Sequence, residues 1–318
     1  MHVERHEVRT IDGWSLELFR GTRPGHRPGR PVLFVPGFGM NSFIFRFHPR
    51  GGSFMQRLLD AGLDPWSVDL RGHTSSKART GTEAPTLSGF AFVDLPATFD
   101  FIARTTGHER VSAIGCSLGG ALLYAYAGAV PDHRVDRIVS IGSPLRWTEK
   151  SPVVRAFARL SPFAPSASLK GTRRLARIGL PIVAALAPGA LGFYLNPELT
   201  WTKPVRELVR TIEDPHPLIN AELAQWIRRG DLHLGDVNVT KALANVDRPL
   251  LVIVGAGDRI CPPSAALVAL DIARGPTASL LVGSEREPIS HADLFISDVS
   301  PERVFQPVAR YLTASDDP

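Results

Sequence analysis

Cysteine is nearly absent from this chain of 318 residues, and the only two are Cys116 and Cys261. So few thiols argue against a disulfide framework and point to an intracellular setting, or one indifferent to redox state. The opening residues Met1-His2-Val3-Glu4-Arg5-His6 contain no apolar core of a secretion signal, so cytoplasmic residence is the expectation. No group of His, Cys, Asp and Glu has metal-ligand spacing, and no G-x-G-x-x-G or Walker sequence opens a strand–helix–strand unit. Neither a metal nor any other cofactor is therefore expected. Lysine and arginine number 36 against 31 acids, a net charge of +5, but they are scattered rather than gathered into an aromatic-interleaved stripe. Nucleic acid is not an expected partner. The longest uncharged stretch, Ile178 to Leu195, is interrupted by Gly179, Pro181, Pro188, Gly189 and Gly192, which argues against a membrane span.

What is present is the composition of an ordinary globular protein, 44% hydrophobic and 21% charged, in an alternating order of elements. Val8 to Thr10, an Asp12-Gly13 turn and Trp14 to Phe19 read as an opening hairpin. Strands are expected at Pro31 to Val35, Asp64 to Leu70, Arg110 to Cys116 and Val135 to Ile141. Helices are expected at Ser53 to Ala61, at Phe90 to Thr106 despite Pro96, and at Leu118 to Val130. After a break of about a hundred residues the alternation resumes with a strand at Leu250 to Val254 and a helix at Pro262 to Ala273. It ends with a strand at Ser279 to Val282 and a helix at Pro301 to Leu312. Such succession implies an α/β fold, a mostly parallel sheet with helices on both faces. The expected core is 1–145 with 246–318. The interval 146–245, helical pieces punctuated by Pro and Gly, reads as an inserted helical cap. No internal repeat or low-complexity tract is evident.

The motif that carries chemistry is Gly115-Cys116-Ser117-Leu118-Gly119, a G-x-S-x-G pentapeptide between a strand-like and a helix-like run. A serine on such a sharp turn takes strained backbone angles, and glycines two residues either side avoid the collisions this would cause. Ser117 is the candidate nucleophile. Its hydroxyl needs a base, and the base a carboxylate to set its tautomer. Asp258 follows the strand at Leu250 and His291 follows the last strand, in the chain order serine, acid, histidine. Asp258 also reads as the residue that opens the turn before the helix at Pro262, and His291 as one loop histidine among ten. Asp293 is a spare acid beside it. Acyl transfer also requires two N–H donors for an oxyanion. Leu118, following the nucleophile, and Phe38, in the Pro36-Gly37-Phe38-Gly39 loop, are the candidates. Asp69 and Arg71 read as loop braces and His73 as a loop residue. Cys116 adjoins the serine, but alternation turns its side chain away, which suits a buried structural thiol.

With these residues in place the chain resembles the α/β-hydrolases, and more narrowly their acid lipase branch of gastric and lysosomal type. The resemblance rests on Thr10 to Leu18, Val32 to Phe43, Asp60 to Trp66 through Arg71-Gly72, Asp94 to Ile102 with Thr106-Gly107, the pentapeptide, and His291-Ala292-Asp293-Leu294-Phe295. It implies an eight-stranded sheet, a helical cap and the triad Ser117, Asp258, His291. Relatives usually carry histidine where Pro36 and Cys116 stand, and the cap shows no match. The oxyanion loop and histidine segment are also similar to those of polyhydroxyalkanoate synthases, which use cysteine where this chain has Ser117.

The expected function is hydrolysis of carboxylic esters of apolar or acyl-chain type, with a small-molecule acyl ester as the partner. Acyl transfer or thioester hydrolysis would use the same machinery, and a binding protein on a hydrolase scaffold would have lost a triad member. Lys170, Arg173, Arg174 and Arg177 share one helical face ahead of the apolar stretch. A cap built this way could touch an anionic lipid surface transiently, or simply pack its apolar face on the core.

Overall fold

The computed structural model describes residues 1–25, 27–73, 76–78, 83–160 and 188–314, together with Gly179 and Val183. The basic face at Lys170 to Arg177 and part of the apolar stretch after it (178, 180–182 and 184–187) lie outside the described residues. Within that stretch, Pro188–Leu191 forms a single 3₁₀ turn and Leu195 is buried.

Eight strands make the main sheet: β1 (His2–Arg9), β2 (Trp14–Thr22), β3 (Pro31–Val35), β4 (Asp64–Asp69), β5 (Val111–Cys116), β6 (Val135–Ile141), β7 (Leu250–Gly255) and β8 (Thr277–Val282). Their spatial order is β1-β2-β4-β3-β5-β6-β7-β8. The β1–β2 and β2–β4 pairs are antiparallel and all later pairs parallel. A ninth strand of two residues, Lys77–Ala78, pairs with β2. It is an addition to the eight expected, too short and too exposed to leave any alternation in the sequence. Every residue of β3, β4, β5 and β7 is buried, as strands covered on both faces must be.

The helices start and stop where local chemistry directs. Helix α1 (Phe54–Asp60) is capped by Ser53, whose side chain accepts the Gln56 N–H. Helix α2 (Leu95–Thr106) ends on Gly107 in the left-handed region, φ 74°. Pro96 falls in its first turn, just after a π turn at Phe90–Asp94. That placement explains how a proline is carried inside a long helical stretch: its missing N–H sits where the ladder is already widened. The same device recurs at Pro301–Phe305 ahead of the last helix, where Pro307 occupies the first turn.

Helix α3 (Leu118–Ala129) is buried along nearly its whole length. Between β6 and β7 stand α4 (Pro152–Leu160), α5 (Pro217–Arg229), a hairpin of His233–Leu234 with Val237–Asn238, and α6 (Val239–Leu243). Helix α6 lies on α3, where a Cβ on Gly128 would meet the Ala242 carbonyl oxygen at 2.3 Å. Helices α7 (Pro263–Ile272) and α8 (Gln306–Thr313) complete the layers. No helix among the described residues is long and apolar enough to cross a membrane.

Loop bracing behind the sheet's carboxyl ends is ionic. Arg71, just after β4, donates from Nε to Asp94 Oδ1 at 2.8 Å and from Nη1 to Asp12 Oδ2 at 2.6 Å, while its backbone N–H reaches Asp94 Oδ2 at 2.9 Å. One buried guanidinium thus joins the β4 loop, the π turn and the tip of the first hairpin. Asp69 accepts the Ser42 N–H at 2.7 Å and so holds the segment that follows the β3 loop. Both residues brace loops as the sequence suggests.

Candidate active site

Strand β5 ends at Cys116 and α3 begins at Leu118, so Ser117 alone makes the turn between them. Its angles are φ 52° and ψ −119°, and it is the one non-glycine residue with positive φ among those described. Such a conformation is costly for a residue with a Cβ and persists only where the surroundings impose it. The glycines of the motif are needed for contact. A Cβ on Gly115 would lie 2.4 Å from Gly120 Cα, and one on Gly119 would lie 2.3 Å from the Val35 carbonyl oxygen. The turn is tied to the sheet by Ser117 N–H to Ile141 O at 2.9 Å.

Cys116 points the other way, as alternation requires. It is fully buried, and its Sγ lies 3.5 Å from Met40 Sδ. Burial foremost, then the negative charge of Asp258, pushes its thiol well above the usual range and keeps it neutral.

Asp258 follows β7 and divides its two oxygens between two tasks. Oδ1 accepts the backbone N–H groups of Ile260 at 2.9 Å and Cys261 at 2.8 Å, the turn before α7. Oδ2 stands 2.6 Å from Nδ1 of His291. The bland and the functional readings of this residue therefore both hold. The carboxylate can only accept, so the proton of the neutral ring belongs on Nδ1, leaving the Nε2 lone pair available. Both side chains are almost wholly removed from solvent.

Ser117, His291, Phe38 and Leu118 all line one cavity, with Asp258 behind the histidine. All five sequence candidates are thus brought together. Leu118 opens α3, where the first backbone N–H groups have no partner within the helix. The Phe38 loop is held against the serine turn: a Cβ on Gly37 would be 2.8 Å from Cys116 O and 2.9 Å from Ser117 Cβ. A distant segment pins the other end of this loop, through Glu213 N–H to Gly39 O at 2.9 Å and Asn41 N–H to Thr211 O at 3.0 Å.

Asp293, the spare acid, does not face the histidine ring in any hydrogen bond but organises its loop. Its carboxylate accepts the Ser290 N–H at 2.8 Å, the Asn196 N–H at 2.8 Å and the Thr200 hydroxyl at 2.7 Å. Burial is the largest influence on it and raises its pKa to about 6 against these bonds. Two further bonds, Ala292 N–H to Tyr194 O at 2.8 Å and Ser290 Oγ to Gly192 O at 3.1 Å, complete the attachment of residues 192–200 to the histidine loop.

Several residues at the site had no signal in the sequence. Tyr194 lines the cavity with its ring centroid 6.5 Å from that of His291, and burial raises its phenol to about 12. Trp147 and Trp226 meet edge to face at 4.6 Å between centroids. Only tertiary contact reveals these, because their neighbours in sequence carry no motif. No group of three or more potential metal ligands occurs among the described residues.

Comparison with known proteins agrees with this architecture. A profile described as alpha/beta hydrolase fold matches residues 30–274. Lipase 3 of Drosophila melanogaster is 31% identical over 173 residues, which are 49% of this chain and 43% of that protein. Gastric triacylglycerol lipase of Bos taurus is 32% identical over 130 residues, 36% of this chain and 32% of the lipase. The matched stretch thus spans less than half the length of these relatives. Among solved structures, a hydrolase from Pseudomonas aeruginosa PA01 superposes with a TM-score of 0.64 at 20% identity, covering 98% of this chain and 99% of that one. The profile match over most of the chain, on a sheet ordered as described, shows that the chain belongs to the alpha/beta hydrolase fold family.

Proposed function

We propose that this protein is a serine hydrolase of carboxylic esters with apolar acyl groups, working through an acyl-enzyme on Ser117. In this reading His291 Nε2 takes the Ser117 hydroxyl proton as Oγ attacks the acyl carbonyl carbon. The backbone N–H groups of Phe38 and Leu118 stabilise the oxyanion. Collapse of the tetrahedral intermediate expels the alcohol, which receives its proton from His291. Water, deprotonated by the same histidine, then attacks the acyl carbon and releases the carboxylic acid and free Ser117. Asp258 holds the ring in the required tautomer and offsets its positive charge.

One observation carries this reading: a serine held at positive φ borders the same cavity as a histidine whose other face is fixed by a buried carboxylate at 2.6 Å. The names of the lipase relatives support ester substrates. Residues 146–245 would serve as a cap over the core 1–145 and 246–318. That division is supported by the side chains of Trp147, Phe157 and Trp226, which reach the cavity from the interval.

A fluorophosphonate probe with a panel of nitrophenyl esters tests the proposal. The expected result is labelling and ester turnover by the native protein and neither by Ser117→Ala. A native protein that resists the probe and turns over no ester would overturn it.

A further inference from the structure

The cavity beside Ser117 has a size and an apolar lining that bear on which ester fits it. Its volume is about 290 Å³, and the described residues lining it include no Lys, Arg, Asp or Glu. Its lining includes the apolar side chains of Trp147, Val154, Phe157, Leu223, Trp226 and Ile227. Part of this wall is tethered. Trp147 donates its indole N–H to Ile260 O at 3.4 Å, in the loop that carries Asp258, and its backbone N–H bonds to Gly230 O at 3.2 Å. Trp226 is buried against it. Two buried indoles packed edge to face, one of them tethered, have few alternative rotamers.

Resting on the hydrolase reading above, we propose that this site selects medium-chain acyl esters, with the far end of the acyl chain stopped by the Trp147–Trp226 wall. The scale follows from packing. A dry cavity of about 150 Å³ accommodates the six carbons of benzene, so the present one holds about twelve carbon atoms. Allowing for the first atoms of the alcohol near the mouth, the acyl chain that fills it has about eight to ten carbons. A sixteen-carbon chain would need about 400 Å³ by the same measure. At the other extreme an acetyl group leaves the aromatic wall untouched. Each methylene that reaches it contributes about fourfold to kcat/KM through burial.

The test is kcat/KM for a series of nitrophenyl esters from two to sixteen carbons, with the full chain and in parallel with fluorophosphonate labelling. The expected profile rises to a maximum at about eight to ten carbons and falls by about tenfold or more at sixteen. Leu223→Ala, which enlarges the cavity, moves the maximum to longer chains, and Val154→Phe, which fills it, moves the maximum to shorter ones. The pair guards against a fold defect, since misfolding lowers all rates without shifting the maximum in opposite directions. A flat profile or a continued rise to sixteen carbons overturns the proposal and leaves the hydrolase reading standing. A maximum at acetyl overturns the proposal together with the apolar-acyl part of that reading, and labelling of Ser117 without turnover of any ester overturns the proposal together with its ester-hydrolase part, leaving only a reactive serine. Absence of both labelling and turnover overturns the hydrolase reading and the proposal with it.

Discussion

The Asp293 carboxylate accepts the Thr200 hydroxyl at 2.7 Å, joining the loop that carries His291 to a segment 93 residues earlier in the chain. Because the same carboxylate also takes the Ser290 and Asn196 N–H groups, the histidine and the wall formed by Tyr194 are positioned by one buried acid.

Replacing Asp293 by Asn keeps the shape but points an NH₂ group at donors. The expected outcome is a fall of about 10–100-fold in kcat/KM, because small misplacements of a catalytic base are costly. Thr200→Val, which removes one donor, should cost less. Rates normalised to fluorophosphonate-titrated sites separate this positioning effect from loss of folded protein.

Asp293 also gives a pH dependence to stability. Its pKa is raised from 3.8 to about 6, so the folded state binds this proton more tightly than the unfolded chain. The group's contribution is then most favourable below about pH 4 and is lost as pH rises to about 6, a difference of about 3 kcal/mol. Thermal melts of the native protein and Asp293→Asn should show the variant's relative stability improving between pH 4 and pH 7. A deficit that grows over that interval would contradict the assignment.

Asp258→Asn should leave the fold intact, because an amide oxygen can still accept the Ile260 and Cys261 N–H groups. Its NH₂ facing Nδ1 would favour the wrong histidine tautomer. We expect kcat to fall by about 10³–10⁴-fold with little change in Tm, measured on a medium-chain nitrophenyl ester.

Gly119→Ala would place a methyl group 2.3 Å from the Val35 carbonyl oxygen, a backbone atom that cannot swing aside. The expected cost is about 3 kcal/mol of stability, read by chemical denaturation. A substitution at Gly62, whose Cβ would meet nothing within 4 Å, controls for loss of glycine but carries its own strain at φ 84°.

Arg71→Leu would leave the fully buried Asp94 carboxylate without the guanidinium that donates twice to its Oδ1. A loss of about 3–5 kcal/mol is expected, again from denaturation. Loosening of the β4 loop should accompany it as faster hydrogen exchange.

Strand positions were legible in the sequence because buried strands are mostly apolar runs bounded by turn residues, even where polar residues such as Asp136, Arg137 and Ser140 interrupt them. Pro31 to Val35 and Val135 to Ile141 coincide with their strands to the residue. The elbow was legible because strain at one serine demands glycine at two neighbouring positions, Asp258 because it closely follows the buried strand Leu250–Gly255, and His291 because it lies in the loop after the last strand. The helix at Phe90 to Thr106 was expected, but not the π turn that carries Pro96, since a five-residue turn leaves no separate period.

Sequence alone therefore determined the order of the elements, the elbow and the candidacy of Asp258 and His291, all of which follow from local patterning and chain order. Tertiary structure decided which cavity these residues line and how large it is. Its wall joins Trp147, Phe157 and Trp226, and the histidine loop rests on Thr200 and Asn196. Contacts between residues tens of positions apart depend on packing in three dimensions, which no periodicity along the chain records.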